Sequence, residues 1–139
     1  MRNMKQLLVI CAIILSASAA FERPDWYPEN GSQIEADCMS KIAVGDDILN
    51  KLRKLQIDDN EKTRDLILCC LRNTNVYRPG QVPEADRIAV AFQQSLKLNC
   101  EEDLINGCIP KYKDEKPENY QFFRIIKCIY DEAPARCKP

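Results

Sequence analysis

The sequence has 139 residues, a formal net charge of −1 at pH 7 and no histidine. The lack of histidine excludes the Ser-His-Asp and Cys-His catalytic arrangements, and the balanced charge offers no basic surface for nucleic acid. The acidic residues are scattered along amphipathic segments, where a solvated helix face explains them. The composition therefore predicts a protein that is not an enzyme and that uses no cofactor.

Residues 1–20 predict a secretory signal peptide. They combine a basic start, an apolar run over residues 7–15 and a small-residue exit that would leave Phe21 at the new N-terminus. A membrane anchor is the alternative, but the apolar run is too short to span a bilayer. Residues 21–139 have the length of one compact domain, so the sequence predicts a single secreted, extracellular domain without a membrane span.

The first half of this domain predicts three helices. Residues 21–32 are rich in Pro, Gly and Asn, which indicates an extended lead-in. Apolar residues then recur at helical spacing over residues 33–55, and Gly45 divides this stretch into two helices. The third helix has its N-cap candidates in residues 58–60. Its apolar stripe contains Leu66, Ile67 and Leu71.

The second half predicts three more helices. Pro83 suits the first turn of a helix that continues over residues 84–98. A short helix with an acidic start covers residues 100–108. Residues 118–133 form the most apolar segment, and a helix that is apolar nearly all round is typical of a central, buried position. Strand-like alternation and repeats are absent, so the sequence predicts an all-α domain of about six helices.

Seven cysteines remain after the signal segment is set aside. In an oxidising compartment they predict disulfides, since CxxC pairs and histidine are both absent and a zinc site, or any metal site, is therefore disfavoured. The seven are Cys38, Cys69, Cys70, Cys100, Cys108, Cys128 and Cys137.

The spacing of four cysteines resembles that of insect odorant-binding proteins (the PBP/GOBP-like family). With Cys38 as the first framework cysteine and Cys70 as the third, the second position falls at Leu66, leaving gaps of 27 and three residues. Cys108 follows after 37 residues as the fourth. A fifth position at Asn119 and a sixth at Cys128 leave gaps of ten and eight residues. The two vacant positions are bonded to each other in that family, so the chain looks like its Minus-C variant with extra cysteines.

The resemblance implies two disulfides, Cys38–Cys70 and Cys108–Cys128. It leaves Cys69, Cys100 and Cys137 as extra cysteines of unknown pairing, one of which is free or intermolecular. A competing register takes Cys128 and Cys137, separated by eight residues, as the fifth and sixth framework positions. That register leaves 19 residues between Cys108 and Cys128, more than the family's usual gap.

The resemblance also implies a helical fold that encloses an apolar cavity for a small hydrophobic molecule. The alternatives are a secreted scavenger outside olfaction and a structural or inhibitory protein with a filled core. A homodimer or a membrane receptor remains open as a partner. The candidate ligand-binding residues, each of which could instead fill a solid core, are Leu52, Leu55, Phe92, Leu96, Tyr120, Phe123, Ile126 and Tyr130.

Overall fold

A computed structural model describes residues 21–139, and the predicted signal peptide lies outside them. These residues form an all-α domain, as the sequence predicts, with six α-helices and a two-stranded antiparallel ladder. The helices are α1 (Gly31–Ile42), α2 (Asp46–Arg53), α3 (Glu61–Asn73), α4 (Ala85–Ala91), α5 (Glu102–Cys108) and α6 (Glu118–Arg136). A π-helical turn (Phe92–Leu96) continues α4, a 3₁₀ turn (Pro110–Tyr112) follows α5, and the strands are β1 (Asn99–Cys100) and β2 (Cys137–Lys138). No helix in this part of the chain is long and apolar enough to cross a membrane.

The helix starts follow the local chemistry of the sequence. Asn60 caps α3, because its side chain accepts a hydrogen bond of 2.9 Å from the backbone N–H of Thr63. Gly45 separates α1 from α2, and the acidic pair Asp46 and Asp47 occupies the first turn of α2, where negative charge favours the helix dipole. The predicted break at Gly45 and the predicted cap within residues 58–60 are both confirmed.

Helix α6 lies at the centre of the domain and packs against α3 and α5. Its side chains are buried around most of its circumference, as its apolar composition predicts. The buried residues of α6 are Phe122, Phe123, Ile125, Ile126, Ile129, Tyr130 and Ala133. This central helix therefore carries the largest share of the core and supports the other helices.

Three disulfides join the described residues, and one of them corrects the sequence-based pairing. Cys108 bonds to Cys128, the pair implied by the resemblance. Cys38 bonds to Cys69 and not to Cys70. Adjacent residues of a helix point about 100° apart, and here Cys69 faces α1 whereas Cys70 lines a cavity. The spacing alone could not decide which of two neighbouring cysteines faces the partner helix.

The extra disulfide ties the C-terminus to the body of the domain. Cys100 bonds to Cys137, and the same two residues are paired across the β1–β2 ladder. Arg136 adds an ion pair of 2.8 Å to Glu101 beside this ladder. Because Cys128 bonds to Cys108 and Cys137 to Cys100, the competing register is wrong, and Cys70 is the one cysteine in residues 21–139 without a disulfide.

We expect disulfide mapping to find Cys38 linked to Cys69 and to find Cys70 as a thiol. The measurement is tandem mass spectrometry of non-reduced peptides, with fragmentation between the two adjacent cysteines. A thiol reagent should modify Cys70 slowly in the native protein and rapidly in denaturant, because the native side chain is mostly buried. A Cys38–Cys70 linkage would show that the two helices are rotated relative to this structure.

Candidate functional site

An apolar cavity of about 100 Å³ lies between the helices and is the candidate site. Its walls come from α1, α2, α3, the end of α4, the π-helical turn, α6 and the lead-in. The lining residues are mostly aliphatic and aromatic, which is typical of a small-molecule site. They are Tyr27, Glu35, Leu49, Leu52, Arg53, Leu66, Ile67, Cys70, Leu71, Thr74, Ala91, Phe92, Ser95, Leu96, Ile126 and Tyr130.

Helical spacing explains how the sequence builds two of the walls. Leu66 and Cys70 are four residues apart on α3, and Ile126 and Tyr130 are four residues apart on α6, so each pair shares a helix face. Phe92 completes the site from the π-helical turn, with its ring edge-to-face against Tyr130 and the ring centroids 5.8 Å apart. Wide helical turns of this kind are frequent at functional sites, because they displace side chains from the regular helix surface.

Most hydroxyl groups of the lining already donate to the protein. The Tyr130 hydroxyl donates to the backbone oxygen of Leu52 at 2.9 Å. The Thr74 hydroxyl donates to the backbone oxygen of Cys70 at 2.7 Å. These bonds satisfy two buried donors and leave the oxygen lone pairs available as acceptors.

Glu35 is the single carboxylate of the lining and lies at the mouth of the cavity. It accepts a hydrogen bond of 2.6 Å from the Ser95 hydroxyl, and its other oxygen lies 3.5 Å from Nη2 of Arg53. The Glu35 side chain is 14% exposed, whereas that of Arg53 is 52% exposed. Glu35, Arg53, Ser95 and Tyr27 also line a polar groove of about 320 Å³, so the apolar cavity continues into a polar vestibule.

Burial and the charge of Glu35 shift the acidity of three groups in the cavity wall. Burial first, and then the charge of Glu35, raise the pKa of the Cys70 thiol from 9.0 to about 12. The same two causes, in the same order, raise the pKa of the Tyr27 hydroxyl from 10.0 to about 12 and that of Tyr130 further above its ordinary value. All three groups are therefore neutral at physiological pH, and the reactive thiolate form of Cys70 is rarer than in an exposed cysteine.

The structure brings five of the eight candidate ligand-binding residues to the cavity: Leu52, Phe92, Leu96, Ile126 and Tyr130. It places the other three elsewhere. Phe123 is fully buried in the core, Leu55 packs half-buried against that core, and Tyr120 stacks on Phe123 beneath the guanidinium of Arg64. Whether the five residues contact a ligand stays a prediction.

Sequence reasoning missed several lining residues, among them Tyr27, Glu35 and Ala91. Tyr27 belongs to a Pro-rich lead-in that has no periodicity, and Glu35 is polar, so neither fits an apolar helix face. The helical spacing of Leu66 and Cys70 was the one available signal for the α3 wall. Ala91 is important because its small side chain leaves the space that the cavity occupies.

Comparison with known proteins gives one family. The profile of the PBP/GOBP family matches residues 24–132, which is most of the described chain. No significant match is found among curated proteins or among solved structures.

Proposed function

The chain belongs to the PBP/GOBP family, the insect odorant-binding proteins, and on that premise we propose that it is a secreted carrier of small hydrophobic ligands. In this proposal the ligand is an odorant, a pheromone or another lipophile, and it travels in the apolar cavity through an aqueous secretion. The protein acts by binding and release and not by catalysis. Residues 1–20 act as the signal peptide that directs the chain out of the cell.

The observation that carries this proposal is the cavity itself. It is lined mostly by Leu, Ile, Phe and Ala side chains, and four of its polar residues also line the vestibule: Tyr27, Glu35, Arg53 and Ser95. An apolar cavity with a small polar region is what a carrier needs, because the apolar walls give affinity and the polar groups orient the ligand. The five predicted residues that line it are proposed ligand contacts.

Two alternatives use the same fold differently. A structural or inhibitory protein with a filled core is disfavoured by the open space of the apolar cavity. A scavenger outside olfaction would use the same cavity, so the cavity does not separate it from an olfactory carrier. Immunolocalisation of the protein in antennal and non-antennal tissue separates these two, and the olfactory role requires antennal expression.

We expect Ala91→Leu to weaken binding of toluene, a purely apolar probe, by about tenfold or more, because the larger side chain occupies the cavity. NMR titration measures this affinity, and thermal unfolding shows whether the variant is folded. We expect its stability to be equal or higher, since filling a cavity restores packing contacts.

The matched control is Ala89→Leu, because Ala89 lies on the same helix but does not line the cavity. This variant should bind toluene like the original protein. Unchanged toluene binding by a folded Ala91→Leu variant would contradict the assignment of this cavity as the binding site. No binding of any apolar probe to the original protein would contradict the carrier function.

A further inference from the structure

We infer that the cavity selects ligands with a hydrogen-bond donor, such as an alcohol, a phenol or a protonated amine, over ligands that only accept hydrogen bonds. This inference rests on the proposed carrier function and specifies its ligand class. The recognising group is the carboxylate of Glu35. Ketones, esters and ethers of the same shape are the disfavoured class.

Most hydroxyl groups of the cavity wall have no free hydrogen to donate to a ligand. The hydroxyls of Tyr130, Thr74 and Ser95 each donate to a protein oxygen. Their hydrogens are committed, while their lone pairs can still accept. A carboxylate can accept about four hydrogen bonds, and Glu35 receives one good bond from Ser95 and one long contact from Arg53. The wall therefore offers mainly acceptors.

The remaining hydrogen-bond donors of the lining would hold a ligand less strongly than the Glu35 carboxylate would. The Cys70 thiol is a poor donor, and the Tyr27 hydroxyl is neutral. Arg53 is charged, but more than half of its side chain is exposed, so water already satisfies it. Hydrogen bonds to a charged group contribute about twice as much as those between neutral groups. Glu35 therefore decides which polar group is favoured at this end of the cavity.

The position of Glu35 supports the same conclusion. Glu35 lies where the cavity meets the vestibule, and its charge adds to the effect of burial in raising the pKa values of Tyr27, Cys70 and Tyr130, which come from the lead-in, α3 and α6. An acceptor-only ligand would displace water from this carboxylate and give it no new partner, which is unfavourable. A donor ligand would replace the lost water with a charge-assisted hydrogen bond.

The volume sets the size of the apolar part. An engineered apolar cavity of about 150 Å³ in another protein holds benzene. The present cavity of about 100 Å³ is smaller but opens into the vestibule, so it suits at most one ring or a short chain, with the donor group directed toward the vestibule. Benzyl alcohol and anisole are isomers, one with a donor and one without, and benzylamine adds the charged donor. These three compounds form a matched ligand set.

The test is an NMR titration of the protein and its Glu35→Gln variant with the three ligands. For each variant, the affinity for benzyl alcohol is divided by the affinity for anisole. A change in cavity shape that affects both isomers alike cancels in this ratio. We expect this ratio to fall about tenfold in Glu35→Gln, and the benzylamine affinity to fall by at least as much. Asp37→Asn is the control, because it removes a carboxylate from the same helix outside the cavity.

A second variant keeps the inference testable if Glu35→Gln does not fold. Ser95→Ala frees one Glu35 oxygen, so the preference for benzyl alcohol should be kept or increased. An unchanged ratio in Glu35→Gln, a lower ratio in Ser95→Ala, or an equal fall in Asp37→Asn would overturn the inference. Toluene binding without binding of benzyl alcohol or benzylamine would overturn it and leave the carrier function standing. If toluene does not bind either, both fail.

Discussion

Replacing both Asp65 and Asn119 by cysteine should create a fourth disulfide and raise the free energy of unfolding by about 2–4 kcal/mol. The bond would close a long loop between α3 and α6, and long loops restrict the unfolded chain most in the chain-entropy model. Non-reducing mass spectrometry measures the bond, and urea denaturation measures the stability.

The contact between the two side chains is the reason for choosing this pair. Nδ2 of Asn119 donates to Oδ1 of Asp65 at 2.8 Å, so the side chains already meet between the two packed helices. With Cys69 as the third framework cysteine, three residues separate it from Asp65, which therefore stands where the family places the second. We propose that this hydrogen bond stands where the family's second disulfide would be. This hydrogen bond holds the two helices less strongly than a disulfide would, and it leaves the Oδ1 atom of Asn119 buried without a partner.

The control for this prediction is the pair Leu66→Cys and Asn119→Cys. Leu66 would be the second framework position if Cys70 were the third, but its side chain faces the cavity and is 1% exposed. This pair should leave both thiols free and should lower stability, since a buried leucine is lost. Bond formation by the Leu66 pair, and none by the Asp65 pair, would contradict the register in this structure.

The cysteine pattern illustrates how far the sequence could predict this fold. Gap lengths tolerate a shift of one residue, so they identify the framework but do not choose between Cys69 and Cys70. Adjacent helical residues point about 100° apart, so only one of the two cysteines faces α1. Which one does so depends on how α1 packs against α3. Helix periodicity was sufficient for the helices themselves, because each turns its apolar residues to one side, buried in most helices and half-buried in α2, while α6 buries nearly its whole surface.

The candidate site was less predictable than the fold. Periodicity finds apolar faces, and it correctly placed Ile126 and Tyr130 on one wall. It does not separate a residue that lines a cavity from one that fills the core, so Phe123, which is buried in the core, shows the same pattern. Polar residues at the mouth, such as Glu35, carry no periodic signal, because their role depends on elements distant in sequence.

The largest effect of pH should appear in alkali, where we expect the free energy of unfolding to fall by about 5 kcal/mol between pH 8 and pH 11. A group with a raised pKa in the folded state keeps its proton to higher pH than in the unfolded state. Its stabilisation is therefore complete below the unfolded pKa and is lost as pH rises toward the folded value. Burial raises the pKa of Cys70 from 9.0 to about 12, that of Tyr27 from 10.0 to about 12, and that of Tyr130 as well.

As pH rises, Cys70 should be the first of the three groups to lower the free energy of unfolding, because its pKa in the unfolded chain is the lowest. Between pH 9 and pH 10 the loss should be about 2 kcal/mol in the original protein and about 1 kcal/mol less in Cys70→Ala, in which the thiol is absent and only the two tyrosines begin to ionise on unfolding. By pH 11 that variant should have lost only about half as much stability as the original protein, since the two tyrosines still ionise on unfolding. Urea denaturation at a series of pH values measures these losses. Equal losses in both proteins between pH 9 and pH 10 would mean that the thiol is solvated in the folded state and does not belong to the apolar wall of the cavity.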